Sequence, residues 1–124
     1  MSHEQFGLPA YAIEQLREIF TQWPQIDRVL LYGARVKGNY RPGSDIDLTI
    51  EGMALDLTTL LAIENRIDDL LLPWTVDLSL MHEIDNASLM DHIGRVGVPF
   101  YVRSGQSSWR SAGATNLWEA RPRG

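Results

Sequence analysis

Apolar and polar residues recur along the chain with the spacings that are typical of helices and strands. Apolar positions three or four residues apart indicate the buried stripe of an amphipathic helix. The first such stripe consists of Ile13, Leu16, Phe20 and Trp23. We expect this helix to open at Pro9, where the missing N–H costs nothing, and to stop at Pro24.

The pattern continues as an alternation of strands and helices. The predicted elements are a strand over 26–32, a loop over 33–44 with a helical turn over 34–37, a strand over 45–50, a helix over 56–72, a strand over 75–81, a helix over 87–96 and a strand over 98–102. This order predicts an α+β fold with a mixed sheet of three to five strands and helices packed on one side.

The two longest patterns predict which side chains face the core. The apolar side of the helix over 56–72 consists of Leu57, Leu60, Leu61, Ile67, Leu70 and Leu71. In the third strand, Val76, Leu78 and Leu80 alternate with Asp77 and Ser79, so the two groups are expected on opposite faces.

Composition limits the possible classes of protein. The 124 residues include no Cys, and 44% are hydrophobic, which fits one small domain over residues 1–102 without disulfides. No apolar run is long enough to span a bilayer, so we expect a cytoplasmic protein. The net charge of −5 disfavours binding to long nucleic acid. Residues 103–124 lack a period and are expected to be a flexible tail, with a vector-derived origin left open.

Two carboxylates lie one residue apart at the start of the second predicted strand. Because side chains alternate faces in a strand, Asp45 and Asp47 are expected to point the same way and to repel each other. A cation between them would remove that cost, and hard oxygen ligands suit Mg²⁺, which usually arrives with phosphates. Asp77 could join them from a neighbouring strand and assist deprotonation of an attacking hydroxyl.

The loop before these carboxylates has residues suited to phosphate. Gly33 lets the backbone approach a triphosphate, and the amides that follow it can cradle phosphate oxygens. Arg35 and Lys37 can add charge-assisted hydrogen bonds. Ser44 can donate its hydroxyl to a phosphate or to a metal-bound water.

The sequence YGARVKGNYRPGSDIDL, residues 32–48, resembles the signature of the polymerase-β-like nucleotidyltransferases. The residues of this motif and the chain length are similar to those of the minimal nucleotidyltransferases, or MNT proteins. The resemblance covers most of residues 26–102. The resemblance implies a catalytic palm domain without fingers or thumb. In this domain Gly33 is the motif glycine, Asp45 and Asp47 are the metal pair and Asp77 is the third carboxylate. It also implies an antitoxin that uses Mg²⁺ to transfer AMP from ATP to a tyrosine of a HEPN ribonuclease toxin.

One position departs from that family pattern. The motif usually has Ser after its glycine, and this chain has Ala34, which keeps the backbone N–H but lacks a hydroxyl for a terminal phosphate. We therefore expect weakened rather than absent catalysis. The alternative is an antitoxin that neutralises its partner by contact alone. A nucleotidyltransferase that acts on a small molecule is disfavoured because no acceptor-binding domain is evident.

Ordinary structural roles remain open for each candidate residue. Asp45 and Asp47 favour turns, and Asp77 could be a solvated strand residue. The charged side chains of Arg35, Lys37 and Arg41 could be solvated, and Ser44 could be a turn hydroxyl. His3, His82 and His92 have no metal-ligand spacing and are expected at the surface.

Overall fold

The computed structural model describes residues 5–103, in which four strands and four α-helices alternate. Their bounds are α1 Ala10–Phe20, β1 Arg28–Tyr32, α2 Ala34–Lys37, β2 Ile46–Glu51, α3 Leu57–Asp68, β3 Val76–Leu80, α4 Ala87–Val96 and β4 Val98–Val102. A short 3-10 helix, Met81–Glu83, connects β3 to α4. Within residues 5–103, no helix is long and apolar enough to cross a membrane.

The strands form one mixed sheet in the order β3-β2-β1-β4. Strand β1 runs antiparallel to both β2 and β4, whereas β2 and β3 are parallel. The predicted α+β class and mixed sheet are therefore confirmed. The register places Asp47 of β2 beside Tyr32 of β1 on one side and beside Asp77 of β3 on the other.

Alternation along the strands gives the sheet two different faces. The main core lies under α1 and α3, which pack against Val29, Leu31 and the apolar residues of β2 and β3. Helix α4 lies on the opposite face, where Ile93 packs against Leu30 and Tyr32. The expectation of helices on one side thus holds for α1 and α3 but not for α4, which leaves part of that second face open.

Two predicted helices end earlier in the structure than in the sequence pattern. Helix α1 ends at Phe20, so Trp23 lies beyond it rather than in its stripe. Helix α3 begins after Asp56, whose side chain accepts a hydrogen bond from the Thr59 amide at 2.9 Å, and it ends at Asp68.

Some apolar side chains of α3 and of the segment after it are exposed to solvent. Leu57 and Leu61, predicted to face the core, are 60% and 51% exposed, because Ile63 and Ile67 are the positions that α3 buries. Leu71 follows the helix with a φ of 55° and is 86% exposed. The predicted apolar side was therefore wrong for these three leucines.

The C-terminal end of β4 is fastened to the start of β1. The Arg103 amide donates to the Asp27 carbonyl at 3.1 Å, and the Arg103 guanidinium donates to the Asp27 carboxylate at 3.2 Å. Arg103 is the first residue of the predicted tail. The rest of that tail, residues 104–124, lies outside the described residues.

Candidate active site

Gly33 joins the end of β1 to α2 in a conformation that other residues rarely adopt. Its φ is 82° and its ψ is −155°, a region that is essentially restricted to glycine. A Cβ atom at this position would overlap Oδ2 of Asp47. The absence of a side chain therefore lets the chain pass directly over the Asp47 carboxylate.

The three acidic residues predicted to act together lie at one end of β2 and β3. Asp47 and Asp77 are partners in the parallel register, so their side chains share the face that α1 and α3 leave open. Asp45 lies one residue before β2 and is exposed, so the strand alternation predicted for it does not strictly apply. The half-buried Asp47 is the centre of this group.

The pKa of the Asp47 carboxyl is raised by its surroundings. Partial burial raises the pKa of the Asp47 carboxyl, and the negative charges of Asp77 and then Asp45 raise it further. A nearby His92 acts in the opposite direction on the same pKa. The carboxylates therefore repel one another, and a bound cation would relieve that repulsion.

The chemistry of this donor set fits a hard divalent cation. Carboxylate oxygens are the ligands that Mg²⁺ prefers, and Asp47 and Asp77 could supply them from two adjacent strands, with Asp45 just before β2. As placed, no group of three or more His, Asp or Glu side chains within residues 5–103 is gathered tightly enough to hold a metal ion. The carboxylates would therefore have to draw together around the ion.

Comparison with known families identifies the family of this chain. A family model described as "Polymerase beta, Nucleotidyltransferase" matches residues 14–106, which is well over half of the chain. The chain belongs to the polymerase-β nucleotidyltransferase family. A comparison with curated proteins finds no match.

Solved structures confirm the nucleotidyltransferase fold. A toxin–antitoxin complex with AMP-PNP is 17% identical with a TM-score of 0.63, covering 81% of this chain and 78% of that chain. The MntA-HepT toxin–antitoxin is 14% identical with a TM-score of 0.57, covering 82% and 80%. A tri-AMPylated Shewanella oneidensis HEPN toxin in complex with MNT antitoxin is 14% identical with a TM-score of 0.56, covering 76% and 72%. At these identities the likeness shows the fold.

The side chain of Arg35 in this nucleotidyltransferase makes other contacts than the phosphate contact predicted for it. Its side chain is only 2% exposed, and its guanidinium donates to the carbonyls of Phe6, Pro42 and Ser44 at 2.9–3.2 Å. A guanidinium that is buried and engaged in this way cannot also reach a nucleotide. The prediction of Arg35 as a phosphate ligand is therefore wrong in this structure.

The other residues predicted to bind nucleotide lie in α2 and in the turn before Asp45. Lys37 is exposed at the end of α2, and Ala34 begins that helix, whose first amides have no intrahelical partner. Ser44 Oγ accepts a hydrogen bond from the Arg41 amide at 2.8 Å, which is the turn role left open above. Its own O–H remains a donor, so a phosphate contact by Ser44 stays a prediction.

Two side chains on the open face were not anticipated from the sequence. His92 of α4 lies edge-on to the Tyr32 ring, with centroids 6.1 Å apart, and it is half-buried rather than at the surface. Burial raises the pKa of the Tyr32 hydroxyl, Ser79 opposes that rise, and Asp77 and Asp47 add to it. An aromatic and an imidazole thus border the carboxylates on the β1 side.

Replacement of the central carboxylate should stabilise the metal-free protein. Because the pKa of Asp47 is raised on folding, its stability cost grows as pH rises from the ordinary Asp value of about 3.9 through the raised pKa. We expect Asp47→Asn to increase the free energy of unfolding at pH 7 by at most about 1 kcal/mol, since solvent screens a half-exposed charge.

Urea unfolding in EDTA measures this effect. The difference between Asp47→Asn and the parent should shrink as the pH is lowered towards about 4, where the parent carboxylate becomes protonated. A variant that is less stable than the parent at pH 7 would show that the carboxylate makes net favourable contacts in the metal-free state.

Proposed function

We propose that this chain is an MNT-type antitoxin that transfers AMP from ATP to a tyrosine hydroxyl of a HEPN-family ribonuclease toxin in the cytoplasm. The observation that carries the proposal is the register of Asp47 with Asp77 on the open face, next to a glycine that admits no side chain. The similar structures support it, since one is in complex with AMP-PNP and another contains an AMPylated HEPN toxin.

Asp45, Asp47 and Asp77 would hold Mg²⁺ in this reaction. The ion supplies charge neutralisation for the triphosphate and makes the attacking hydroxyl more acidic. The tyrosine oxygen forms a bond to the α-phosphorus, and the bond from that phosphorus to the bridging oxygen of the β-phosphate breaks to release pyrophosphate. Asp77, which is exposed on the edge strand β3, accepts the tyrosine proton.

The open face offers room for a large acceptor. Strand β3 is an edge of the sheet, and α4 covers only the β1 side of the polar face. A tyrosine presented by another protein could therefore approach Asp77 from the β3 side. This access favours a macromolecular acceptor over a small molecule that would need an enclosing pocket.

A second candidate function is neutralisation of the toxin by binding alone. Ala34 favours it, because the motif hydroxyl that would contact a terminal phosphate is missing. In that case the carboxylates would have no catalytic role, and inhibition of the toxin would not depend on them.

Intact-mass measurement separates these two functions. The chain is incubated with a candidate HEPN-family partner from the same genome, ATP and Mg²⁺, and the partner is then weighed. A gain of one or more AMP units, lost in Asp45→Ala/Asp47→Ala, is the expected result. An unmodified partner that is still inhibited, by the parent and by the double variant alike, would support the binding function and contradict the enzyme.

Restoring the motif hydroxyl should increase activity. A hydrogen bond to a charged phosphate is worth about 1.5–3 kcal/mol, so Ala34→Ser is expected to raise kcat/KM for AMP transfer about ten- to hundredfold. Initial rates at limiting ATP measure this gain. Ala54→Ser, on an exposed loop beyond the other end of β2, is the matched control and should leave the rate unchanged. Equal rates for Ala34→Ser and the parent would show that no phosphate oxygen lies near residue 34.

A further inference from the structure

Arg35 is a buried cation that is paired with backbone carbonyls instead of a carboxylate. Its Nη1 donates to the Phe6 carbonyl at 2.9 Å, and its Nη2 donates to the Pro42 and Ser44 carbonyls at 3.0 and 2.9 Å. Its Nε also donates to the Ser44 carbonyl at 3.2 Å, and the guanidinium carbon lies 5.1 Å from the centre of the Tyr40 ring. Among the ion pairs within residues 5–103, none includes Arg35.

These contacts join two segments that are far apart in sequence. Phe6 belongs to an N-terminal turn in which Gln5 and Leu8 exchange backbone hydrogen bonds at 3.0 and 2.8 Å. Pro42 and Ser44 belong to the turn that leads directly into Asp45. The guanidinium therefore lies between the start of the domain and the peptide bond that precedes the first carboxylate.

The neighbouring side chains complete the same arrangement. Trp74 Nε1 donates to the Pro42 carbonyl at 3.0 Å, so that carbonyl has two donors. Gly7 has a φ of 73°, and a Cβ there would overlap the Tyr40 ring, so the N-terminal turn lies directly against that ring. The loop before Asp45 is thus held from within by Arg35 and from the β3 side by Trp74.

We propose that Arg35 is a positioning residue that fixes the Pro42–Ser44 turn and thereby places Asp45 for metal binding. A planar guanidinium can donate to several carbonyls at once, whereas a lysine ammonium is a single point charge and would leave some of them unpaired. The effect on catalysis rests on the proposed function, but the effect on the turn does not depend on it.

Arg35→Met tests the proposal, with Arg17→Met as the matched control. Arg17 also donates to a carbonyl, that of Phe100 at 2.6 Å, and its guanidinium carbon lies 5.3 Å from the Phe100 ring. It therefore loses the same two kinds of contact on substitution, but at the β4 edge, away from β2 and β3.

Hydrogen–deuterium exchange without nucleotide or metal is the first readout. We expect Arg35→Met to increase amide exchange over residues 41–46 by about tenfold or more, because each lost hydrogen bond to a charged donor is worth about that factor. Arg17→Met should leave exchange in this segment unchanged. Parent-like exchange over 41–46 in folded Arg35→Met would overturn the proposal, whether or not the chain proves to transfer AMP.

The division of the kinetic effect between kcat and KM is the second readout. A displaced Asp45 should lower kcat about a hundredfold, whether or not the KM for ATP changes with it. A raised KM for ATP with an unchanged kcat would mean that Arg35 binds phosphate, and would overturn the positioning role. A parent without AMP-transfer activity would count against the proposed function alone.

Arg35→Lys keeps the test decisive if Arg35→Met does not fold. The lysine retains the charge and some donors, so we expect circular dichroism like that of the parent and exchange over 41–46 between those of the parent and Arg35→Met. Failure of both variants to fold would overturn the proposal, because the role of Arg35 would then be the stability of the whole domain.

Discussion

Asp47→Asn is expected to lower kcat/KM for AMP transfer by about a thousandfold or more, because a catalytic metal is worth several kcal/mol of transition-state stabilisation. Asp47 is the register partner of Asp77 and lies two residues after Asp45, and an amide at this position keeps the side-chain shape while removing the charge. The same substitution should leave the protein folded and slightly more stable in EDTA, so lost activity cannot be attributed to unfolding.

Asp68→Asn is the matched control for this prediction. Asp68 is an exposed carboxylate at the end of α3, which packs against the opposite face of the sheet. Its substitution changes the net charge by the same amount and should leave kcat/KM unchanged. A similar loss of activity in both variants would contradict a specific role for Asp47, and a fully active Asp47→Asn would remove the basis for a carboxylate metal site.

Gly33→Ala should remove activity by a different physical route. Its φ of 82° and ψ of −155° are unfavourable for any residue with a Cβ, and that Cβ would also displace the Asp47 carboxylate. We expect the free energy of unfolding to fall by about 1–3 kcal/mol and kcat to fall about a hundredfold. Urea unfolding and initial rates of AMP transfer measure the two effects.

Substitution of two other glycines in the same loop distinguishes the effect of backbone strain from the effect of displacing the Asp47 carboxylate. Gly38 has a φ of 86° with open space around it, so Gly38→Ala should lose stability while keeping most of the activity. Gly43 does not have a positive φ and has open space around it, so Gly43→Ala should change neither stability nor activity. An equal loss of activity in Gly33→Ala and Gly38→Ala would show that backbone strain, rather than contact with Asp47, is responsible.

Local signals in the sequence were sufficient to predict much of the fold. The last helix was predicted at 87–96 and is observed there, because Asn86 accepts from the Leu89 amide at 2.9 Å and Gly97 follows its end. The outward face of Asp77 followed from the alternation in β3. Capping and period-two patterns need only neighbouring residues, so they can be read without a structure.

The features that were mispredicted depend on distant parts of the chain. Arg35 resembles a phosphate ligand in a basic loop, but its burial depends on carbonyls from Phe6 and Ser44 that only the fold brings together. His92 lies near Asp47 because α4 crosses β1 on the open face, which no local pattern specifies. Leu57 and Leu61 fit a helical stripe, yet the angle at which α3 packs buries Ile63 instead.

Under the proposed function, the carboxylates of Asp45, Asp47 and Asp77 together hold a divalent cation and a triphosphate. Titration of the protein with Mn²⁺, followed by electron paramagnetic resonance, in the presence of a non-hydrolysable ATP analogue measures this binding. We predict saturable Mn²⁺ binding that depends on the analogue and is lost in Asp45→Asn/Asp47→Asn. Equal Mn²⁺ binding by the parent and the folded double variant would contradict the claim.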